Sequence, residues 1–444
     1  MTKMSRRQFL GLSAAALGGA FAMRFPQVAR AQGFTGTLEF WDWNFDARAD
    51  YMVELIEQFE AENDFSLNYI TYGYSDLQTR LLTAADAGNN PPFSNVHVNW
   101  RYELQKAGAL APLPDDLFDF DNLISTPFNR DPETGEIFTT TFNYYGDVVF
   151  YNRSILEEAG LTPEDIPNNW DDFLRLSREL TVREDGLVTR PGCALNHYFS
   201  QEWLWSSMVY QQDAFLYNET GDGALWDTDA AVQALDIIRG WYNDDPIDDY
   251  LLQRHFEQFG NGEAAMFISH GYWAPSIPVD YPDLEWGTVP IPTFTGEAAP
   301  AWGMALPEEG LAVFDNATDE QKEAAFAFIE YALGSAENRL QWADIMTGPP
   351  DRADLLDAPE LQDSPGNVID SLAQTLPYRV VYGERPIEAE AIWRTMFEEV
   401  IINNTPAAEA AQAATEAMNE VFEETGPRLI TERNYSPPEA ADEE

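Results

Sequence analysis

Beyond Phe34, apolar positions first follow a period of two and then a period near 3.6. Residues 37–41 alternate polar and apolar like a strand, and Tyr51, Met52, Leu55, Ile56 and Phe59 then recur at helical spacing. Residues 67–72 repeat the strand pattern, and Leu77, Leu81, Leu82 and Ala85 mark a second amphipathic helix. Residues 96–98 form a short third strand before a helix that carries Leu104. Strands alternating with helices at this spacing predict an α/β fold with a parallel sheet under covering helices.

The pattern then changes. Residues 148–151 are an extended apolar run, followed by helices around 155–159 and 170–180. Val232, Leu235, Ile238 and Tyr242 mark a further helix, as do Ala325, Phe328, Ile329 and Leu333. The chain closes in helices holding Ile387, Ala391 and Ile392, then Ala411, Ala414, Met418 and Phe422. Past these, residues 431–444 read as an acidic disordered tail containing Pro437 and Pro438.

Charge narrows the function classes. Asp and Glu number 76 against 25 Lys and Arg, a formal charge of −51, so nucleic acid is not an expected partner, because phosphate binding needs a surplus of cations. Only Lys3, Lys106 and Lys322 are lysines. The acids are spread along the whole chain, which suggests adaptation to salt, since ions at about 1 M shorten the Debye length to roughly 3 Å. One cysteine, Cys193, rules out an intrachain disulfide and a Cys-rich metal site. No cofactor and no metal are expected.

The first residues read as an address. Ser5-Arg6-Arg7-Gln8-Phe9-Leu10 resembles the twin-arginine export motif and leads through an apolar, small-residue stretch to Ala29-Arg30-Ala31. Cleavage after Ala31 is expected, giving an exported, periplasmic or extracellular protein with no cysteine for a lipid anchor.

Several short motifs then occur in one order. They are Leu38-Glu39-Phe40-Trp41-Asp42-Trp43, Phe59-Glu60-Ala61-Glu62-Asn63, and Leu77-Gln78-Thr79-Arg80-Leu81-Leu82 with Ala87-Gly88. Gly108-Ala109-Leu110-Ala111-Pro112-Leu113 and Val149-Phe150-Tyr151-Asn152-Arg153 follow, then Asn169-Trp170-Asp171-Asp172-Phe173 and Phe259-Gly260-Asn261-Gly262-Glu263-Ala264-Ala265-Met266. Together they resemble the extracellular solute-binding proteins of ABC importers, in the sugar-binding group that includes the maltose-binding proteins. Pro91-Pro92-Phe93 and Trp302-Gly303 depart from the family pattern.

The resemblance implies a two-lobed periplasmic-binding-protein fold of the type II kind, with ligand held in a cleft that closes by hinge bending. It implies one lobe from 32–144 plus 305–348 and another from 145–304 plus 349–430, with crossings near 143–147, 302–306 and 348–351. It also implies a monomer whose partners are a sugar ligand and permease subunits with their ATPase.

Sugars offer apolar C–H faces and a girdle of hydroxyls, so aromatics beside Asp and Asn suit them. Trp41, Asp42, Trp43 and Asn44, after the first strand, are the leading candidates, followed by Tyr74, Asp76, Trp100 and Tyr145. From the second lobe come Trp205, His270, Tyr272, Trp273 and Trp302. Asp119-Phe120-Asp121 and Asp131-Pro132-Glu133 lack the spacing of a calcium loop. The rival readings are a binder of glycerol phosphate or polyamine, a secreted glycoside hydrolase, and an adhesion module. A phosphate ligand would want converging arginines, for which Arg80, Arg101, Arg379 and Arg385 are available.

Overall fold

The computed structural model describes residues 34–428, apart from 132–133, 299, 308, 363 and 382–384. The export segment and the acidic tail lie outside the described residues. Two mixed sheets, each covered by helices, form the two lobes. The first has the strand order β2-β1-β3-β12-β4, from β1 (Thr37–Trp43), β2 (Ser66–Tyr72), β3 (Phe93–His97), β4 (Leu110–Ala111) and β12 (Glu309–Phe314), with β5 (Thr140–Thr141) on β12. The second has the order β10-β6-β11-β13, from β6 (Tyr145–Asn152), β10 (Trp286–Pro290), β11 (Gly303–Leu306) and β13 (Arg379–Val380), with β9 (Met266–His270) on β6. Strands β7 (Val182–Glu184) and β8 (Leu187–Arg190) form a separate hairpin.

In the first sheet, β1 pairs with β2 and β3 in parallel, as the alternating pattern predicts. Strand β12 then enters antiparallel to β3. The sheet is therefore mixed, and Glu309, at the start of β12, lies opposite His97 at the end of β3. The third strand itself starts three residues earlier than its apolar run suggests. Phe40 stacks on Phe93 with ring centroids 4.4 Å apart, and Phe328 from the helix Asp319–Leu333 covers the pair. That helix starts in a capping box, Thr318 with Gln321. The helix Tyr74–Ala87 buries Leu77, Leu81 and Ala84 and ends at Gly88, whose φ of +64° suits glycine. In the second lobe, Phe150 stacks on Phe267 at 4.3 Å.

The chain passes between the sheets three times: between Thr141 and Tyr145, between Leu306 and Glu309, and between Met346 and Val368. Ala305 and Leu306 still pair with Gly146 and Tyr145, so β11 stays with the second sheet two residues beyond the expected limit. The first and third crossings touch: Asn143 bridges Pro350, and Tyr144 N–H donates to the Pro349 carbonyl at 3.0 Å. A Cβ on Gly348 would lie 2.1 Å from Asn143 Nδ2 and 2.6 Å from the Tyr144 carbonyl oxygen, so only glycine fits there. Among the described residues, no helix is long and apolar enough to cross a membrane.

Candidate functional site

The carboxyl ends of parallel strands are where α/β sheets expose loops to ligand. Here β1, β2 and β3 end together, and their ends carry an aromatic cluster. Trp43 meets Tyr74 edge-on at 5.8 Å, His97 at 6.0 Å and Trp100 at 5.5 Å. Trp41 meets Tyr72 edge-on, and its ring N–H donates to Glu39 Oε1 at 2.5 Å. Trp41 and Trp43 share one face of β1 because side chains alternate along a strand. Both are half-buried; Trp100 is fully buried.

The expected loop from Trp41 is strand as far as Trp43, which turns Asp42 to the opposite face. There it is completely buried, with its carboxylate receiving Arg48 at 2.9 and 3.2 Å, Tyr69 at 2.8 Å and Asn95 at 3.0 Å. Burial raises its pKa above the usual carboxylate range, and the Arg48 charge opposes the shift. Arg48 also pairs with Glu309, which ties β1 to the first residue after the second crossing. Asp42 is thus placed as a structural ion-pair partner. Asn44 is exposed, with its backbone N–H donating to the Tyr72 carbonyl. Asp76 is exposed in the first helical turn and pairs with Arg80 at 3.4 Å.

A second cluster gathers where β6 starts and β9 ends. His270 lies opposite Asp147 in the β6–β9 register, with Nε2 3.5 Å from Asp147 Oδ1. Its ring stacks on Trp203 with centroids 3.7 Å apart. Tyr272 meets both Trp203 and Tyr145 edge-on at 6.1 Å. Trp273 lies farther along, stacked on Phe256 at 4.2 Å. Trp302 is half-buried and donates its ring N–H to the Ile291 carbonyl at 2.8 Å.

Trp203 takes the place expected of Trp205. Two residues apart on one helix, Tyr198–Tyr210, they point to different faces. Trp205 is buried in the core of the second lobe, donates to the Ala231 carbonyl at 2.9 Å and packs edge-on against Trp226 and Phe397. The clusters also hold three side chains outside the expected set: His97, Trp203 and Asp147. His97 ends the third strand, so the strand-end rule could have found it, and the spacing from Phe199 to Trp203 could have found the second.

The two clusters lie within electrostatic reach of each other. The His270 pKa is lowered well below the imidazole range by burial, then by the Arg379 charge, then by His97 from the first cluster. Asp147 is pushed up to about 7, chiefly by burial, with the Arg379 charge opposing the shift. Several buried polar atoms around this space have no hydrogen-bond partner: Trp100 Nε1, both amide atoms of Asn143, Tyr144 Oη, Asp147 Oδ1, Glu202 Oε2 and both His270 nitrogens. Buried polar groups are rarely left unpaired; others of this kind, such as Trp226 Nε1 and Thr415 Oγ1, lie elsewhere in the second lobe.

Comparison with known proteins agrees with this architecture. Residues 44–339 match the family described as bacterial extracellular solute-binding protein. An arabinooligosaccharide-binding protein of Bacillus subtilis is 23% identical over 355 residues, covering 75% of this chain and 78% of that protein. The cyclic alpha-maltosyl-1,6-maltose binding protein of Arthrobacter globiformis superposes with a TM-score of 0.72 at 18% identity, covering 88% of this chain and 100% of the other. UgpB of Mycobacterium tuberculosis in complex with glycerophosphocholine superposes with a TM-score of 0.73 at 17% identity, covering 88% and 99%.

The raised Asp147 pKa has a consequence for stability. The unfolded chain releases this proton near pH 4 and the folded chain near 7, so the folded state holds more protons in between, and the contribution of Asp147 falls as pH rises from 4 to 7. Asp147→Asn removes that titration. Urea unfolding is expected to give a variant that gains on the wild type between pH 5 and pH 8; parallel pH dependences for the two chains would refute the assignment.

Proposed function

The chain belongs to the bacterial extracellular solute-binding proteins, and from that premise we propose that it captures a neutral oligosaccharide between its lobes and hands it to the permease of an ABC importer. It is a binding protein and not an enzyme. The observation that carries the sugar reading is the pair of aromatic clusters, one with half-buried Trp41, Trp43 and Tyr74 and the other with half-buried Tyr272. Aromatic faces suit the apolar C–H surfaces of pyranose or furanose rings, and the unpartnered polar atoms suit their hydroxyls.

The placement of arginines favours a neutral ligand over glycerol phosphate. Arg80 is exposed beside Asp76 and Tyr72. Arg101 binds Asn129 and the Phe128 carbonyl. Arg379 binds Thr375 and the carbonyls of Met304 and Asp147, and Arg385 pairs with Glu202. Arg80 is engaged at the surface, and Arg101, Arg379 and Arg385 with partners inside the protein, so none of these contacts forms the converging cradle a phosphate needs.

Titration with arabinotriose, maltotriose and lactose, followed by tryptophan fluorescence and melting temperature, tests the reading. A saturable response to at least one sugar, with the sugar recovered intact, is expected, and Trp41→Ala should weaken it at least about tenfold by removing a half-buried aromatic face. Response to glycerol phosphate or spermidine alone, or consumption of the sugar, refutes it.

Two further parts of the proposal concern where the protein works. We infer twin-arginine export with cleavage after Ala31, releasing a monomer outside the cytoplasmic membrane, its lobes divided as the resemblance implies except that 305–306 stay with the second. Replacing Arg6 and Arg7 by lysine is expected to leave uncleaved precursor inside the cell; unchanged export would refute that route. The acidic surplus of −51 supports adaptation to a salty medium. The melting temperature should climb steeply between 0.1 and about 2 M KCl, as the Debye length shrinks from about 10 Å to below about 3 Å; a flat profile would refute salt adaptation.

A further inference from the structure

One face of the helix Tyr198–Tyr210 carries Phe199, Glu202, Trp203 and Ser206 at spacings of three and four residues. Trp203 places this face against His270 and Tyr272, and the Glu202 charge acts on Asp147 across it. Glu202 is itself fully buried. Its Oε1 accepts from Ser206 Oγ at 3.0 Å and from Arg385 at 2.5 Å, which fixes the carboxylate in position. Its Oε2 is buried with no hydrogen-bond partner. A carboxylate oxygen can only accept, and leaving it unmet in the interior is costly.

We infer that Glu202 is a specificity-determining residue of the cleft: its Oε2 accepts a hydrogen bond from a hydroxyl of the captured ligand, on the side where Tyr272 meets Trp203. The inference rests on the sugar reading above and deepens it by naming the group that reads hydroxyl position. Arg385 and Ser206 are positioning residues that hold the carboxylate still. Asp147 Oδ1, also without a hydrogen-bond partner and 3.5 Å from His270 Nε2, belongs to the same cluster and is available for a second donor. Two such oxygens near an aromatic side chain select a ligand with several O–H donors.

The test uses the full chain and whichever of arabinotriose, maltotriose and lactose binds the wild type most tightly. Glu202→Gln is expected to reduce affinity for that sugar at least about tenfold, as loss of a charge-assisted hydrogen bond implies, with the near-ultraviolet circular dichroism of the wild type retained. A folded Glu202→Gln chain that binds within twofold of the wild type overturns the inference while leaving the sugar reading intact. Because the change also disturbs Arg385, a crystal structure of the wild type with the same sugar gives an independent answer. A ligand hydroxyl within about 3 Å of Glu202 Oε2 is expected, and one beyond hydrogen-bond reach overturns the proposal. A wild type that binds none of the three sugars overturns the sugar reading and this inference with it.

Discussion

The architecture depends on keeping guanidinium groups charged inside the protein at the places where the chain changes lobes. Removing a cation from water is expensive unless carboxylates and carbonyls surround it, and here those partners belong to the crossing strands. Arg339 donates to the carbonyls of Leu333 and Thr141, the latter at the last residue of β5 before the first crossing. Arg379 reaches Met304 on β11 and Asp147 on β6, and Gly146 leaves it room, since a Cβ there would lie 2.5 Å from its Nη1. Arg48 holds Glu309 just after the second crossing. Asp351, pushed up to about 6 chiefly by burial with the Arg339 charge opposing, accepts from Ser125 beside the third. The strands are thus anchored on either side of each crossing.

The same demand explains a feature of composition. Arg48, Arg101, Arg339, Arg379 and Arg385 are all buried, and the first four each meet more than one partner, a carbonyl among them. A planar guanidinium with five donors can do this where a single ammonium cannot. The scarcity of lysine therefore has an interior cause as well as whatever the solvent imposes. The acids divide in a similar way: most of those described lie at the surface, while Asp42, Asp147, Glu202, Asp248, Glu309 and Asp351 are taken inside.

What the sequence made legible followed from local periodicity. The strands and helices up to Leu104 could be read from spacing, and the ordered motifs carried the two-lobed fold. Strand β12 was not legible as an antiparallel insertion, because its partner β3 lies more than 200 residues earlier and nothing local states the pairing. Asp42 looked like a ligand contact because its neighbours are tryptophans. Its destination depends on Arg48, Asn95 and Glu309, which only the folded chain brings together. For Trp203 and Trp205, the helix was legible but its rotation about its own axis was not, and that rotation decides which indole meets His270.

Gly348 bears on how such a molecule can move. With no room for a Cβ between it and the Asn143–Tyr144 segment, the first and third crossings lie in direct contact and hydrogen-bond to each other. Two strands joined in this way bend together far more readily than they shear. The lobes are then confined to rotation about one shared line, with little freedom to twist or slide. A ligand gripped at one end of the cleft fixes the opening angle everywhere along it, so the distance between the two aromatic walls becomes a single coordinate set by the thickness of whatever lies between them.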